Sequence, residues 1–166
     1  FEAPLPASRL QELALKLGAD VPMCLLGTTL RATGIGEDIV PVDVASMAII
    51  LVNPGMPVST PAVFTALEAK RNPSLTQLPS TNDQTTWIEW LRAQRNDLQT
   101  SALASVPNIS ACLQALEEKP GYLLGRMSGS GATCFGLFDD DQSALKAVSS
   151  IRNANPDWWV RAGRTI

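Results

Sequence analysis

The sequence predicts an α+β fold, a ferredoxin-like β-α-β-β-α-β plait with extra helices, over residues 45–166. Three observations carry this. The run Met47-Ala48-Ile49-Ile50-Leu51-Val52 is apolar without a break and is closed by Asn53-Pro54-Gly55, the pattern of a buried strand. Two further strand-like runs, 122–126 and 133–138, flank a glycine-rich bend. A helix-period stretch, 142–153, then precedes a last short strand at 158–161. From Met47 the order reads β-α-α-α-β-β-α-β, and setting the extra helices aside leaves the plait. Residues 1–44 do not complete a second domain by themselves.

Each element has a local reason. Ser8 can cap a helix over 9–17, whose apolar stripe is Leu10, Leu13, Ala14 and Leu17, and Gly18 ends it. The short apolar run 21–26 reads as a buried strand or a turn of helix. Residues 28–33 and 38–42 read as a hairpin around Gly34-Ile35-Gly36-Glu37, with Glu37 in solvent. Thr60 as N-cap and Pro61 at the first helical position open a helix whose apolar side is Val63, Phe64 and Leu67. Residues 71–86 are polar and turn-rich, and 87–95 read as a short helix followed by a turn at Asn96-Asp97-Leu98. The helix 109–118 is expected to turn Ala111, Cys112, Ala115 and Leu116 inward. Asp139-Asp140-Asp141 reads as the acidic cap of the last helix.

Composition narrows the chemistry. With 166 residues, 45% hydrophobic and 17% charged, the chain is neither disordered nor fibrous. A net charge of −3 with 13 Lys and Arg supplies no basic stripe, so no nucleic-acid partner is expected. Histidine is absent, which removes Ser-His-Asp and Cys-His catalysis and the commonest metal ligand. No metal site is expected. Cys24, Cys112 and Cys134 are widely spaced and apolar in setting, and read as reduced core cysteines. The four tryptophans read as core or interface anchors. No apolar run reaches membrane-spanning length and no signal peptide is visible, so a cytoplasmic protein without a membrane partner is expected.

Two places invite a functional reading. In Ser128-Gly129-Ser130-Gly131 the glycines permit positive φ and leave the main-chain N–H groups uncovered. Such a bend is either an ordinary turn into a strand or an anion-binding nest with hydroxyl donors from Ser128 and Ser130. It has neither Walker A nor dinucleotide-fingerprint spacing. Asp20, between Gly18-Ala19 and Val21-Pro22, is a carboxylate in apolar surroundings. It reads either as a cap or as a catalytic aspartate.

Five segments in order resemble the GHMP small-molecule kinases: Leu17-Gly18-Ala19-Asp20-Val21-Pro22, Gly34-Ile35-Gly36-Glu37, Asn53-Pro54-Gly55 with Val58-Ser59-Thr60, Asn96-Asp97-Leu98, and Arg126-Met127-Ser128-Gly129-Ser130-Gly131. The likeness is strongest to the member acting on a cytidine-diphosphate-linked polyol of the non-mevalonate isoprenoid route. The resemblance implies transfer of the γ-phosphoryl group of ATP, accompanied by Mg2+, to the polyol 2-hydroxyl. It assigns Asp20 as the catalytic aspartate, Ser128, Gly129, Ser130 and Gly131 to the nucleotide phosphates, and Thr60 and Phe64 to the cytidine side. It assigns no metal ligand. It also implies that residues 1–44 are the C-terminal end of an S5-domain-2-like N-terminal domain.

The family's substrate-side lysine and its main ATP loop, Pro-x-x-x-Gly-Leu-Gly-Gly-Gly-Ser-Ser, have no counterpart in this sequence. The chain is therefore expected to be the C-terminal portion of such a kinase, with the N-terminal portion as a covalent or separate partner. Alone it is expected to have little or no activity, because missing phosphate donors cost orders of magnitude in rate. Two other readings compete: another small-molecule kinase of the family, and a non-catalytic ferredoxin-like binding domain.

Overall fold

The computed structural model describes residues 5–18, 21–34 and 38–166. Asp20 and the expected turn residues Ile35, Gly36 and Glu37 lie outside the described residues. The chain divides into two compact units, Phe1–Val44 with Ile166, and Ala45–Thr165.

The first unit holds helices α1 (Ala7–Leu17) and α2 (Val21–Leu26) and an antiparallel hairpin of β1 (Leu30–Thr33) and β2 (Asp38–Pro41). The run 21–26 thus resolves as helix. Helix α1 begins earlier than expected, with Pro6 rather than Ser8 at its N-cap, because the Pro6 carbonyl already accepts from the Arg9 and Leu10 amides. Of the expected stripe only Ala14 is buried; Leu10, Leu13 and Leu17 are exposed. Cys24 is exposed too, against the expectation of three core cysteines.

The second unit begins with β3 (Ala48–Asn53), followed by helices α3 (Thr60–Thr65), α4 (Gln84–Arg92), α5 (Gln99–Ser105) and α6 (Asn108–Glu117). Strands β4 (Tyr122–Met127) and β5 (Cys134–Phe138), helix α7 (Asp141–Ala154) and strand β6 (Trp159–Arg164) complete it. The sheet order is β4-β5-β3-β6 and every pairing is antiparallel. That is the strand order of the expected plait. Helix α5 is an addition: its polar and small residues carry too little periodic apolar signal to announce a helix.

Strand β3 alternates, with Ala48, Ile50 and Val52 buried against α6 and α7 and the residues between them half-buried. Along α6 the inward positions are Ile109, Cys112 and Leu116; Ala111, expected inward, is exposed. Helix α7 faces the sheet with Ala144, Ala147, Val148 and Ile151. Its cap is Asp140, whose carboxylate accepts from the Ser143 amide at 2.7 Å and is thereby held below the usual carboxylate range.

Helix α4 is fastened to β4 by two arginines that each reach the other element's main chain. Arg126 donates to the Leu91 carbonyl at 2.9 Å, and Arg92 donates twice to the Leu123 carbonyl, at 2.9 and 3.3 Å. Trp87 anchors the same helix: it is buried, donates to the Thr81 carbonyl at 2.8 Å and meets Trp90 edge-on. Trp159, by contrast, is exposed.

Cys112 and Cys134 are wholly buried, and burial pushes both thiols from 9.0 up to about 12. Only the thiolate is nucleophilic, so this shift cuts its fraction about a thousandfold at neutral pH. Both cysteines should therefore resist a thiol-specific reagent at pH 8 in the folded chain and react within minutes once it is denatured. Mass spectrometry of the labelled peptides checks this.

Candidate functional site

Residues 128–133 link β4 to β5, and the first four of them, Ser128-Gly129-Ser130-Gly131, close on themselves as a tight turn. The Gly131 amide donates to the Ser128 carbonyl at 3.0 Å, and the Ser128 amide donates across to the Thr133 carbonyl at 2.8 Å. Gly129 at φ +55° and Gly131 at φ +93° take up the left-handed backbone that the turn needs. The Gly129 and Ser130 amides occupy the two central positions, and neither donates to any described residue. Ser128 and Gly129 are exposed. The turn therefore presents two adjacent main-chain N–H groups to whatever approaches it, the arrangement that receives anionic oxygens.

Helix α3 meets this turn side-on. Ser59, not Thr60, is the N-cap: its hydroxyl accepts from the Ala62 amide at 3.4 Å. The displacement by one residue leaves the Thr60 hydroxyl unused by the helix, and it pairs with the Ser130 hydroxyl at 2.7 Å. One turn further along α3, Phe64 is 52% exposed instead of joining Val63 in the core. Its ring borders a cleft of about 480 Å3 together with Lys70, Arg95, Asn96 and Gly129. So Thr60, Phe64 and the 128–131 turn, distant in sequence, are brought together.

The turn is held from behind by Asn96 and Asn53, residues of the resembling segments to which the sequence assigned no individual role. Asn96 donates to the Met127 and Gly129 carbonyls, both at 2.8 Å. Asn53 donates to the Thr133 hydroxyl at 2.9 Å while its own oxygen accepts from the Gly55 amide at 2.8 Å. Asn53 makes one local and one long-range contact, and Asn96, whose oxygen also accepts from the Leu98 amide, makes one local and two long-range contacts. The local contacts are readable as turn chemistry; the long-range ones have no sequence signal. Arg95 pairs with Asp97 at 2.6 Å on the cleft rim and donates to the Pro73 carbonyl at 2.7 Å. At that exposure the ion pair is worth at most about 1 kcal/mol, so it shapes the rim more than it stabilises the fold. Among the described residues no group of three or more Cys, Asp or Glu side chains is gathered as a metal site.

The plait thus carries a glycine turn with two free amides beside an exposed aromatic ring. Residues 74–157 match the family described as GHMP kinases C terminal, and the chain belongs to that family. Among curated relatives, it is 51% identical over 164 residues to the 4-diphosphocytidyl-2-C-methyl-D-erythritol kinase of Sinorhizobium medicae (strain WSM419), covering 98% of this chain and 54% of the relative. It is 46% identical over 169 residues to the protein of the same name from Agrobacterium fabrum (strain C58 / ATCC 33970), covering 100% of this chain and 56% of the relative. The chain thus spans about half the length of the curated relatives it matches.

Its fold superposes on the crystal structure of a 4-(cytidine 5'-diphospho)-2C-methyl-D-erythritol kinase with a TM-score of 0.71 at 29% identity, over 93% of this chain and 56% of that one. A homoserine kinase from Cytophaga hutchinsonii shares the fold alone, with a TM-score of 0.62 at 16% identity, over 89% and 51% of the two chains. Among the described residues no helix is long and apolar enough to cross a membrane.

Proposed function

We propose that this chain is the C-terminal part of a kinase that transfers the γ-phosphoryl group of Mg2+-ATP to the 2-hydroxyl of 4-diphosphocytidyl-2-C-methyl-D-erythritol, in isoprenoid precursor synthesis. The carrying observation is the 128–131 turn, whose two unpaired amides stand beside a hydroxyl pair and an exposed ring. The identity of 51% to a relative bearing that kinase name supports the same reading.

The roles divide by chemistry. Phosphoryl transfer asks a protein chiefly for positioning and for donors around the transferred group. The amides of Gly129 and Ser130, with the Ser128 hydroxyl, serve as phosphate donors; Thr60 orients Ser130; Phe64 offers a face on which cytosine stacks. Asp20 serves as the aspartate that aims the substrate hydroxyl and takes its proton. The hydroxyl oxygen attacks the γ-phosphorus as the bond to the bridging oxygen of ADP breaks. Phe1–Val44 serves as the end of an N-terminal domain, and the family's ATP loop belongs to a preceding portion. A cytoplasmic location accompanies this reading.

The test is to assay ADP release and 31P signals for the chain alone and for the chain supplied with the N-terminal half that its relatives carry. Turnover only in the second case is expected; substantial turnover by the chain alone would refute the division of labour. In the active form, Phe64→Ala should raise KM for the cytidine substrate about tenfold with kcat little changed, since stacking on an aromatic face contributes about 1–3 kcal/mol per base. The melting temperature should stay within about 2 °C, because the ring is exposed. An unchanged KM would remove Phe64 from the site.

A further inference from the structure

We infer that Asn96 is a positioning residue: its carboxamide sets the geometry of the 128–131 turn and thereby aims the turn's free amides. The inference rests on the functional reading above, and deepens it.

Met127 is the last residue of β4, on the margin of the sheet, and its neighbour Ser128 bonds inward to Thr133. Both main-chain groups of Met127 turn the other way. An extended strand leaves such groups unpaired at its margin, where burial without a partner is costly. Here two carboxamides pair them, one from Asn96 between α4 and α5 and one from Gln99 at the start of α5. Gln99 accepts from the Met127 amide at 3.0 Å, and Asn96 donates to the Met127 carbonyl at 2.8 Å. The pair does the work of a neighbouring strand for a single residue.

Asn96 then reaches one step further. Its second N–H goes to the Gly129 carbonyl, also at 2.8 Å, while its oxygen accepts from the Leu98 amide at 3.0 Å. Two acceptors on one side and a donor on the other leave only one assignment of the amide nitrogen and oxygen. In a trans peptide the carbonyl and the following N–H point in opposite directions. Drawing the Gly129 carbonyl back to Asn96 therefore sends the Ser130 amide forward, away from Asn96 and out of the turn. Asn96 itself is half-buried behind the turn. It acts through the peptide it orients.

The test has two readouts. By NMR amide exchange on the chain, Asn96→Ala should lower the protection of the Ser128 and Gly131 amides at least tenfold, with Ile50 in the central strand unchanged as the check on folding. In the active kinase the same variant should lower kcat about thirtyfold while KM moves less than threefold, as for an interaction that matters at the transition state. Asn96→Asp keeps the shape but offers no donor while ionised. Its kcat at pH 8 should be no better than that of Asn96→Ala; a kcat at least tenfold above that of Asn96→Ala would overturn the inference, because shape rather than donation would then hold the turn.

A kcat within twofold of wild type in Asn96→Ala overturns the inference, whatever the exchange shows. If the wild-type kinase does not phosphorylate the polyol, the functional reading fails. The exchange of Ser128 and Gly131 then decides the positioning role, and protection within twofold of wild type overturns it.

Discussion

Gly131→Ala is expected to lower phosphoryl transfer by at least a hundredfold, and Gly129→Ala by far less. Both glycines have positive φ, so both substitutions meet the backbone cost of about 1–2 kcal/mol that a side chain incurs there. What differs is the room around them. A Cβ on Gly129 meets nothing within 4 Å, whereas one on Gly131 lies 2.9 Å from the Met127 sulfur and 3.2 Å from a Ile109 methyl. Met127 and Ile109 are buried core residues, so relieving the overlap shifts their side-chain ends, the turn, or both, and the Ser130 amide moves with the turn. A displacement of about 1 Å in a positioning element costs on the order of a hundredfold in rate. Steady-state kinetics of the two variants side by side checks this, with circular dichroism to establish that each is folded. Equal losses in the two would show that space at Gly131 is not what matters.

The largest effect on stability is expected at Phe138. Its ring is wholly buried on β5, meets Tyr122 edge-on at 6.2 Å and lies against the bare Cα of Gly136, where an added Cβ would stand 3.2 Å from it. Gly136, in the same strand, has no side chain to move into the space that truncation leaves. Phe138→Ala should therefore destabilise the chain by about 3–5 kcal/mol, the range for buried aromatic truncation with little relaxation. Its melting temperature should fall by roughly 10–20 °C. Thermal and urea unfolding followed by tryptophan fluorescence measure it. A loss under about 1 kcal/mol would mean that the core collapses around the gap.

The plait was legible because its strands are short, apolar and punctuated. Met47–Val52 followed by Asn53-Pro54-Gly55 has no other economical reading, and 122–126 and 133–138 bracket the glycine bend unmistakably. Helix α5 was not legible, since Thr100, Ser101 and Ser105 leave Ala102 as its one buried residue. The one-residue shift from Thr60 to Ser59 as cap was hard to see for another reason: both residue types are good caps, Ser somewhat the better. Only the hydroxyl of Ser130, seventy positions away, distinguishes them. Asn96 shows the same limit. Its turn with Leu98 is written locally, while its grip on Met127 and Gly129 exists only once α4 is seated on β4. Cys24 misled because an apolar neighbourhood in sequence became a short helix with Leu25 and Leu26 exposed. Asp20 enters through resemblance and chemistry alone.

Arginines from α4, α7 and β6 also engage the edges of the sheet. On one flank Arg92 occupies the Leu123 carbonyl; on the other, Arg152 and Arg161 both donate to the Val160 carbonyl. An acceptor already engaged by a guanidinium has no lone pair well placed for an incoming chain, and the bulky cations stand where that chain would lie. Each edge strand thus has one carbonyl already engaged by a guanidinium, which blunts both edges as templates for a fifth strand without sealing them.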